Sequence, residues 1–179
     1  ALPISARKLI ADGGMHSLGL RKVSSTVGVS PAALYRHFEN LEQLRADVAA
    51  QIRSEIAELM IAKRDRVPKS SSPKKFAIKR FEAIGQGYVE YAKKNPWSFE
   101  IAFIPCEEDS TMDLDDRAWL VLQESVTELQ DVGLLNQKTK AIAPMLAWSS
   151  VHGLATLIAQ KAIPASELQK SLSDIYAGI

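Results

Sequence analysis

The chain has 179 residues, 46% of them hydrophobic and 24% charged, which excludes a wholly disordered, collagen-like or coiled-coil protein and allows one or two small domains with a buried core. Its formal charge of +1 hides a segregation. Residues 51–94 carry eleven Lys and Arg against five Asp and Glu, whereas residues 95–132 carry one against ten. Either one end of the molecule attracts a polyanion and another repels it, or solvated helix faces differ in sign.

Strand-like alternation is scarce, and turn signals separate segments of helical period, so an all-α fold is expected. The expected helices are about 3–13, 20–27, 31–38, 41–66, 73–94, 96–103, 112–132, 137–161 and 165–177. Ser30-Pro31, Ser72-Pro73 and Asn95-Pro96 each set a capping residue before a proline at the first helical position. Asn40 with Gln43 and Ser166 with Gln169 have the spacing of a capping box. Because the chain opens without methionine and already in a helical pattern, further residues are expected in front of it, and no signal peptide is visible.

Three short helices joined by Gly13-Gly14 and Gly28-Val29-Ser30 precede a long one, the plan of a helix-turn-helix unit. Gly28 can supply a left-handed residue that ends one helix, and Ser30 can cap the next. On the segment Pro31 to Phe38, Leu34 and Phe38 mark an inward face. That turns Ala32 and Arg36 away from the core and puts Ala33, Tyr35 and His37 on the flanks. Alanine permits close approach to base edges, arginine pairs with guanine or phosphate, and Tyr35 and His37 can reach phosphate oxygens. Half-buried packing and solvated surface are the alternative roles for the same residues.

The run Gly28-Val29-Ser30-Pro31-Ala32-Ala33-Leu34-Tyr35-Arg36-His37-Phe38-Glu39-Asn40, within Leu9 to Val48, resembles the DNA-binding domain of TetR-family transcriptional regulators. The resemblance implies a helical homodimer on double-stranded, pseudo-palindromic operator DNA. It implies that Arg21 reaches bases or phosphates, that Ala32 and Ala33 face bases, and that Tyr35 and His37 hold the backbone. Arg36 falls where the family varies, so its outward direction rests on periodicity alone. Gly19 stands where the family has Thr or Ser as a cap, and Leu41 stands where it favours lysine. With no basic arm ahead of the first helix in this chain, weaker nonspecific binding and a shallower salt dependence than in better-armed relatives are expected.

The long helix carries an apolar stripe of Leu44, Val48, Ile52, Ile56, Leu59 and Ala62. The next places Phe81, Ile84, Tyr88 and Tyr91 at helical spacing, with Gly85 and Gly87 between them. Interior glycines point to close packing or to space beside a ligand, packing being the commoner. The stretch Met145 to Ile158 is apolar nearly all round and calls for cover on both sides, one of them a second subunit. With the last helix (Leu168, Leu172, Ile175 and Tyr176) it would form an isologous four-helix interface, a central helix of a monomer being the alternative. The charge-free run Ala141 to Gln160 holds Pro144, His152 and Thr156 and is too polar to be read as a membrane span.

Trp148 with His152-Gly153 is similar to the tryptophan-histidine-glycine signature of one TetR-type C-terminal domain. An effector pocket in that domain is implied by the family resemblance. Its candidate lining is Trp97, Phe99, Phe103, Met112, Trp119 and Trp148, with Tyr88, Tyr91 and His152 as polar points and aromatic core as the alternative for each.

The expected architecture is thus an N-terminal three-helix helix-turn-helix domain over residues 1–48 and a C-terminal helical ligand-binding and dimerisation domain over 49–179. The expected function is a ligand-responsive homodimeric regulator, a repressor released from its operator by a small-molecule effector. A dimeric helical sensor that does not bind DNA is the rival. No catalytic residue, cofactor or membrane partner is expected: Ser149, Ser150 and His152 lack a G-x-S-x-G elbow. No metal is expected either, since the acidic run Glu107 to Asp116 lacks the EF-hand order and its glycine. The single Cys106 can close no internal disulfide and leaves no CxxC pair, so a reducing cytoplasm is the expected setting.

Overall fold

A computed structural model describes residues 19–34, 36, 38–104 and 116–178. The expected first helix, Tyr35, His37, Cys106, Met112 and the acidic run as far as Asp115 lie outside them. Among the described residues every regular element is a helix: α1 Leu20–Val27, α2 Pro31–Leu34, α3 Leu41–Asp65, α4 Pro73–Lys94, α5 Pro96–Ala102, α6 Arg117–Asp131, α7 Gln137–Ala159 and α8 Leu168–Gly178. A single 3₁₀ turn, Ala165–Glu167, leads into α8.

Four boundaries differ from expectation by two residues or more, among them the start of α8, which lies at Leu168 behind the 3₁₀ turn rather than at 165. Regular α2 ends at Leu34 rather than 38, with Arg36 in a turn and Phe38 outside the helix. α6 starts at Arg117 rather than near 112, because Asp116 (φ −57°, ψ 126°) is its cap and accepts from the Ala118 amide at 2.9 Å. α7 ends at Ala159 because Lys161 adopts a left-handed φ of 60°, and the Ala162 amide donates back to the Leu157 carbonyl at 2.8 Å. At the start of α3, the Gln43 amide donates to Asn40 Oδ1 at 2.8 Å. The Gln43 side chain reaches back to the Glu39 amide at 2.7 Å, one residue before the expected partner.

The chain divides into two compact units, Ala1–Arg53 with Asn95–Asp113 and Ser54–Lys94 with Leu114–Ile179. The division falls inside the unbroken helix α3, five residues beyond the expected boundary at 48, and α5 groups with the N-terminal unit. There, Val23, Phe38, Leu44, Val48 and Ile52 are buried, together with Phe99 and Ile101 of α5. Each fully buried aliphatic side chain is worth about 1.5–3 kcal/mol. Arg53 Nη1 donates to the Ala102 carbonyl at 2.9 Å and ties the end of α5 to α3.

In the second unit α4 is the central helix and packs against α6, α7 and α8. Phe81, Ile84, Tyr88 and Tyr91 are all buried, as the spacing predicted. The α3 stripe continues through Ile56 to Met60, whereas Leu59 and Ala62 are only half-buried. Gly87 is a close-approach position: a Cβ there would meet the Met60 backbone at 3.0 Å. At Gly85 the space a Cβ would fill is taken by the Tyr176 hydroxyl, which donates to the Glu82 carbonyl at 2.9 Å. Both glycines therefore serve helix packing. The basic and acidic blocks partly neutralise each other in this unit. Arg80 makes a two-pronged pair with Glu128 (2.8 and 2.9 Å), and Arg64 reaches Glu124 at 3.0 Å.

By length and composition alone Ala141–Ala159 is apolar enough to cross a membrane. Its Ala143, Ala147, Val151, Leu154, Ala155 and Ile158 are nonetheless buried in the core of a helical unit.

Candidate functional site

The first candidate surface is built by α1 and α2. α1 begins at Gly19, whose extended backbone (φ −144°, ψ 141°) lets the Val23 amide bond its carbonyl at 2.9 Å, with no side chain to add a second cap. It stops at Gly28, at φ 74° and ψ 26°, and the Val29 amide closes the end on the Ser24 carbonyl at 3.0 Å. Ser30 then caps α2, accepting from the Ala33 amide at its Oγ (3.2 Å). Gly28 and Ser30 thus do what the sequence assigned to them. Val23 and Ser24 of α1 are buried, and Phe38 anchors the segment beyond α2.

The opposite side is open: Arg21, Lys22, Ala32 and Arg36 are exposed and Ala33 is half-buried. Lys22, next to Arg21, is a second cation of this surface that neither motif nor periodicity singled out. The Lys22 carbonyl takes the hydroxyls of Ser25 (2.9 Å) and Thr26 (2.8 Å). Arg36 sits in a turn, so its exposure does not come from the helical periodicity used to expect it. Tyr35 and His37 lie outside the described residues.

The second candidate is an aromatic cluster in the C-terminal unit. Tyr88 of α4 and His152 of α7 are joined by a hydrogen bond of 2.8 Å between the hydroxyl and Nδ1. The Trp148 ring lies 5.2 Å from that of His152, and Trp119 of α6 meets Trp148 edge-on at 6.4 Å. Burial drives the Tyr88 pKa far above the ordinary tyrosine range, the nearby Asp116 carboxylate adds to this, and a hydrogen bond from the Trp148 side chain works against it. Tyr88 therefore keeps its proton, and the direction of its bond with His152 Nδ1 follows the imidazole tautomer. Burial also holds His152 below its ordinary pKa, in the neutral form that can accept.

The remaining pocket candidates make other contacts. Tyr91 is buried but donates to Glu55 at 2.9 Å. Trp97 is 52% exposed, and Phe103 packs on Phe99 at 5.1 Å; both belong to the N-terminal unit. Among the described residues no three His, Cys, Asp or Glu side chains gather as a metal site.

The family model described as "Bacterial regulatory proteins, tetR family" matches residues 5–48, and "Tetracyclin repressor-like, C-terminal domain" matches residues 81–174, more than half of the chain. The chain belongs to the TetR family. It is a DNA-binding transcriptional regulator, not an enzyme. Among its relatives, the uncharacterized HTH-type transcriptional regulator YobS of Bacillus subtilis (strain 168) is 26% identical over 172 residues, 95% of this chain and 84% of YobS. The fold is shared with a protein of unknown function from Rhodococcus sp. RHA1 (TM-score 0.80, 19% identity, 99% of this chain and 93% of that one). It is shared also with the regulator FadR of Bacillus subtilis, solved in complex with stearoyl-CoA (TM-score 0.73, 14% identity, 99% and 97%). In this TetR-family regulator the matched N-terminal region contains α1 and α2, and the matched C-terminal region contains Tyr88, Trp119, Trp148 and His152.

Proposed function

We propose that this TetR-family chain is a cytoplasmic homodimeric repressor that releases its operator when a small molecule occupies the aromatic cluster of its C-terminal unit. The observation that carries the DNA half of this reading is the local geometry around Gly28. A left-handed turn and a serine cap hold α2 with Ala32 exposed, Arg36 is exposed in the turn beyond it, and Phe38 anchors the segment in the core. Ala32 and Ala33 then approach base edges and Arg36 reads a base or grips a phosphate. Arg21 reaches bases or phosphates, and Tyr35 and His37 hold the backbone, as their family positions imply.

The dimer half is supported by one face of α7. Ile142, Met145, Leu146 and Leu157 are exposed by 41–57% on a helix whose other face is core. A second copy of the same helix, with α8 beside it, would cover them in a two-fold interface. Effector sensing is assigned to Tyr88, Trp119, Trp148 and His152. Tyr91, whose hydroxyl donates to Glu55, and Trp97 and Phe103, of the N-terminal unit, remain further candidates for the lining. FadR with its stearoyl-CoA is a precedent for an effector that carries a long apolar chain in this fold. Occupancy works through differential affinity: a ligand that prefers the arrangement unable to meet successive grooves lowers operator affinity.

The test is a gel shift on intergenic DNA flanking the protein's own gene, combined with sedimentation. The wild type is expected to shift one fragment as a dimer. Arg36→Ala should lose about 1–3 kcal/mol of binding if it reads a base, and Leu157→Glu should yield monomers that no longer shift it. Absence of any shift at low salt would favour the ligand sensor that does not bind DNA. A dimer untouched by Leu157→Glu would move the interface elsewhere.

A further inference from the structure

Three of the four polar groups of the aromatic cluster are engaged with one another. The Tyr88 hydroxyl is bonded to His152 Nδ1 at 2.8 Å, and the Trp148 side chain makes a hydrogen bond to Tyr88. Trp119 differs. Its residue is only 8% exposed, and its indole Nε1 is buried with no hydrogen-bond partner among the described residues. An indole nitrogen only donates, so this atom requires an acceptor that those residues do not supply. Buried donors in native proteins are nearly always satisfied, and an exception at a binding site points to a missing partner.

The surroundings narrow that partner. None of the four side chains brings a positive charge: His152 is neutral, and the others are tyrosine and tryptophan. The charge felt at Tyr88, from the Asp116 carboxylate, is negative. A carboxylate or phosphate placed here would be repelled and would find no cation on the four rings. An ammonium group would be attracted by the aromatic faces and the Asp116 carboxylate, but it has no acceptor to offer the Trp119 N–H and would leave that buried donor unpaired. An uncharged oxygen acceptor on an apolar body satisfies both conditions.

We propose that the effector of this protein is an uncharged, mainly apolar molecule bearing a carbonyl group of ketone, ester or thioester type, whose oxygen accepts the Trp119 indole N–H while the aromatic rings of Tyr88, Trp148 and His152 contact its apolar part. This rests on the reading of the cluster as the effector site. It deepens that reading by naming the donor and the chemical class.

The experiment is isothermal titration calorimetry of the full-chain dimer with four probes of equal chain length: 2-decanone, methyl decanoate, decanoate and decyltrimethylammonium. The two carbonyl probes are expected to bind at least tenfold more tightly than the anion and the cation. Trp119→Phe, which keeps an aromatic ring and deletes the donor, should weaken the carbonyl probes by about tenfold and leave the charged probes unchanged. The wild-type ranking needs no variant and so stands even if Trp119→Phe folds poorly. A preference for either charged probe, failure of both carbonyl probes to bind, or equal affinity of wild type and Trp119→Phe would overturn the proposal. Trp148→Ala separates this failure from failure of the site itself. Binding lost in Trp148→Ala but kept in Trp119→Phe leaves the effector site standing and removes the donor assignment, whereas binding indifferent to both variants removes the site as well.

Discussion

His152 illustrates how one buried side chain couples the fold to solution conditions. In the folded chain it is hydrogen-bonded to Tyr88 and is held below its ordinary pKa by burial. An unfolded chain would bind a proton at His152 from about pH 6.5 downward. The unfolded state therefore takes up more protons than the folded one, and the stability contributed by the neutral imidazole is present above that pH and lost as pH falls through the folded value. Thermal melts between about pH 7 and pH 5 should show a steeper acid decline for the wild type than for His152→Gln. Parallel declines would show that His152 does not titrate differently in the two states. Tyr88 and His152 were both legible in sequence as polar points on apolar helices. Their pairing across 64 residues was not, because it depends on the register in which α4 and α7 pack. Tyr91, three residues beyond Tyr88, meets Glu55 instead of the cluster for the same reason.

At the scale of elements, helix ends were the most legible feature, because capping is decided within a few residues. Gly28, Ser30 and Asn40 act as the sequence indicates. Where a second bond competes, the expectation slipped: Asp116 caps α6 from a non-helical backbone and so sets its start later than apolar spacing suggested. Lys161 marks another such end. It holds a left-handed φ of 60° that glycine adopts freely, so Lys161→Gly should raise stability by about 1 kcal/mol in urea titrations. A loss of stability would show that the lysine side chain contributes more than the backbone conformation costs. The opposite outcome is expected at Gly87. Alanine gains about 1 kcal/mol of helix propensity, but its methyl would press on the rigid α3 backbone at Met60. Overpacking of this kind costs about 1–3 kcal/mol, so Gly87→Ala should leave the melting temperature unchanged or lower, never higher. A rise would mean that α3 and α4 can part without penalty.

At the scale of the whole molecule, the sequence motif identified the family and the helix-turn-helix plan, because the turn that presents α2 is encoded in consecutive residues. The unit boundary was less legible. It lies within the unbroken helix α3, where no linker composition marks it, and α5 belongs with the N-terminal unit despite its later place in the chain. Charge segregation was readable as numbers but not as ion pairs. Arg64 and Arg80 of the basic block are paired with Glu124 and Glu128 of the acidic block, so they add little attraction for a polyanion. The cations of the α1–α2 surface, Arg21, Lys22 and Arg36, remain exposed. DNA affinity should therefore depend on a small number of phosphates neutralised twice over by a symmetric pair. The most direct measurement is fluorescence anisotropy of an operator fragment titrated with protein across a series of salt concentrations, for the wild type and for Arg21→Ala. Two protomers per fragment are predicted, with an affinity that falls as salt rises and a shallower slope in the variant, by about 0.9 for each phosphate no longer neutralised. One protomer per fragment, or a salt slope that Arg21→Ala and Lys22→Ala both leave unchanged, would contradict the assignment of this surface to DNA.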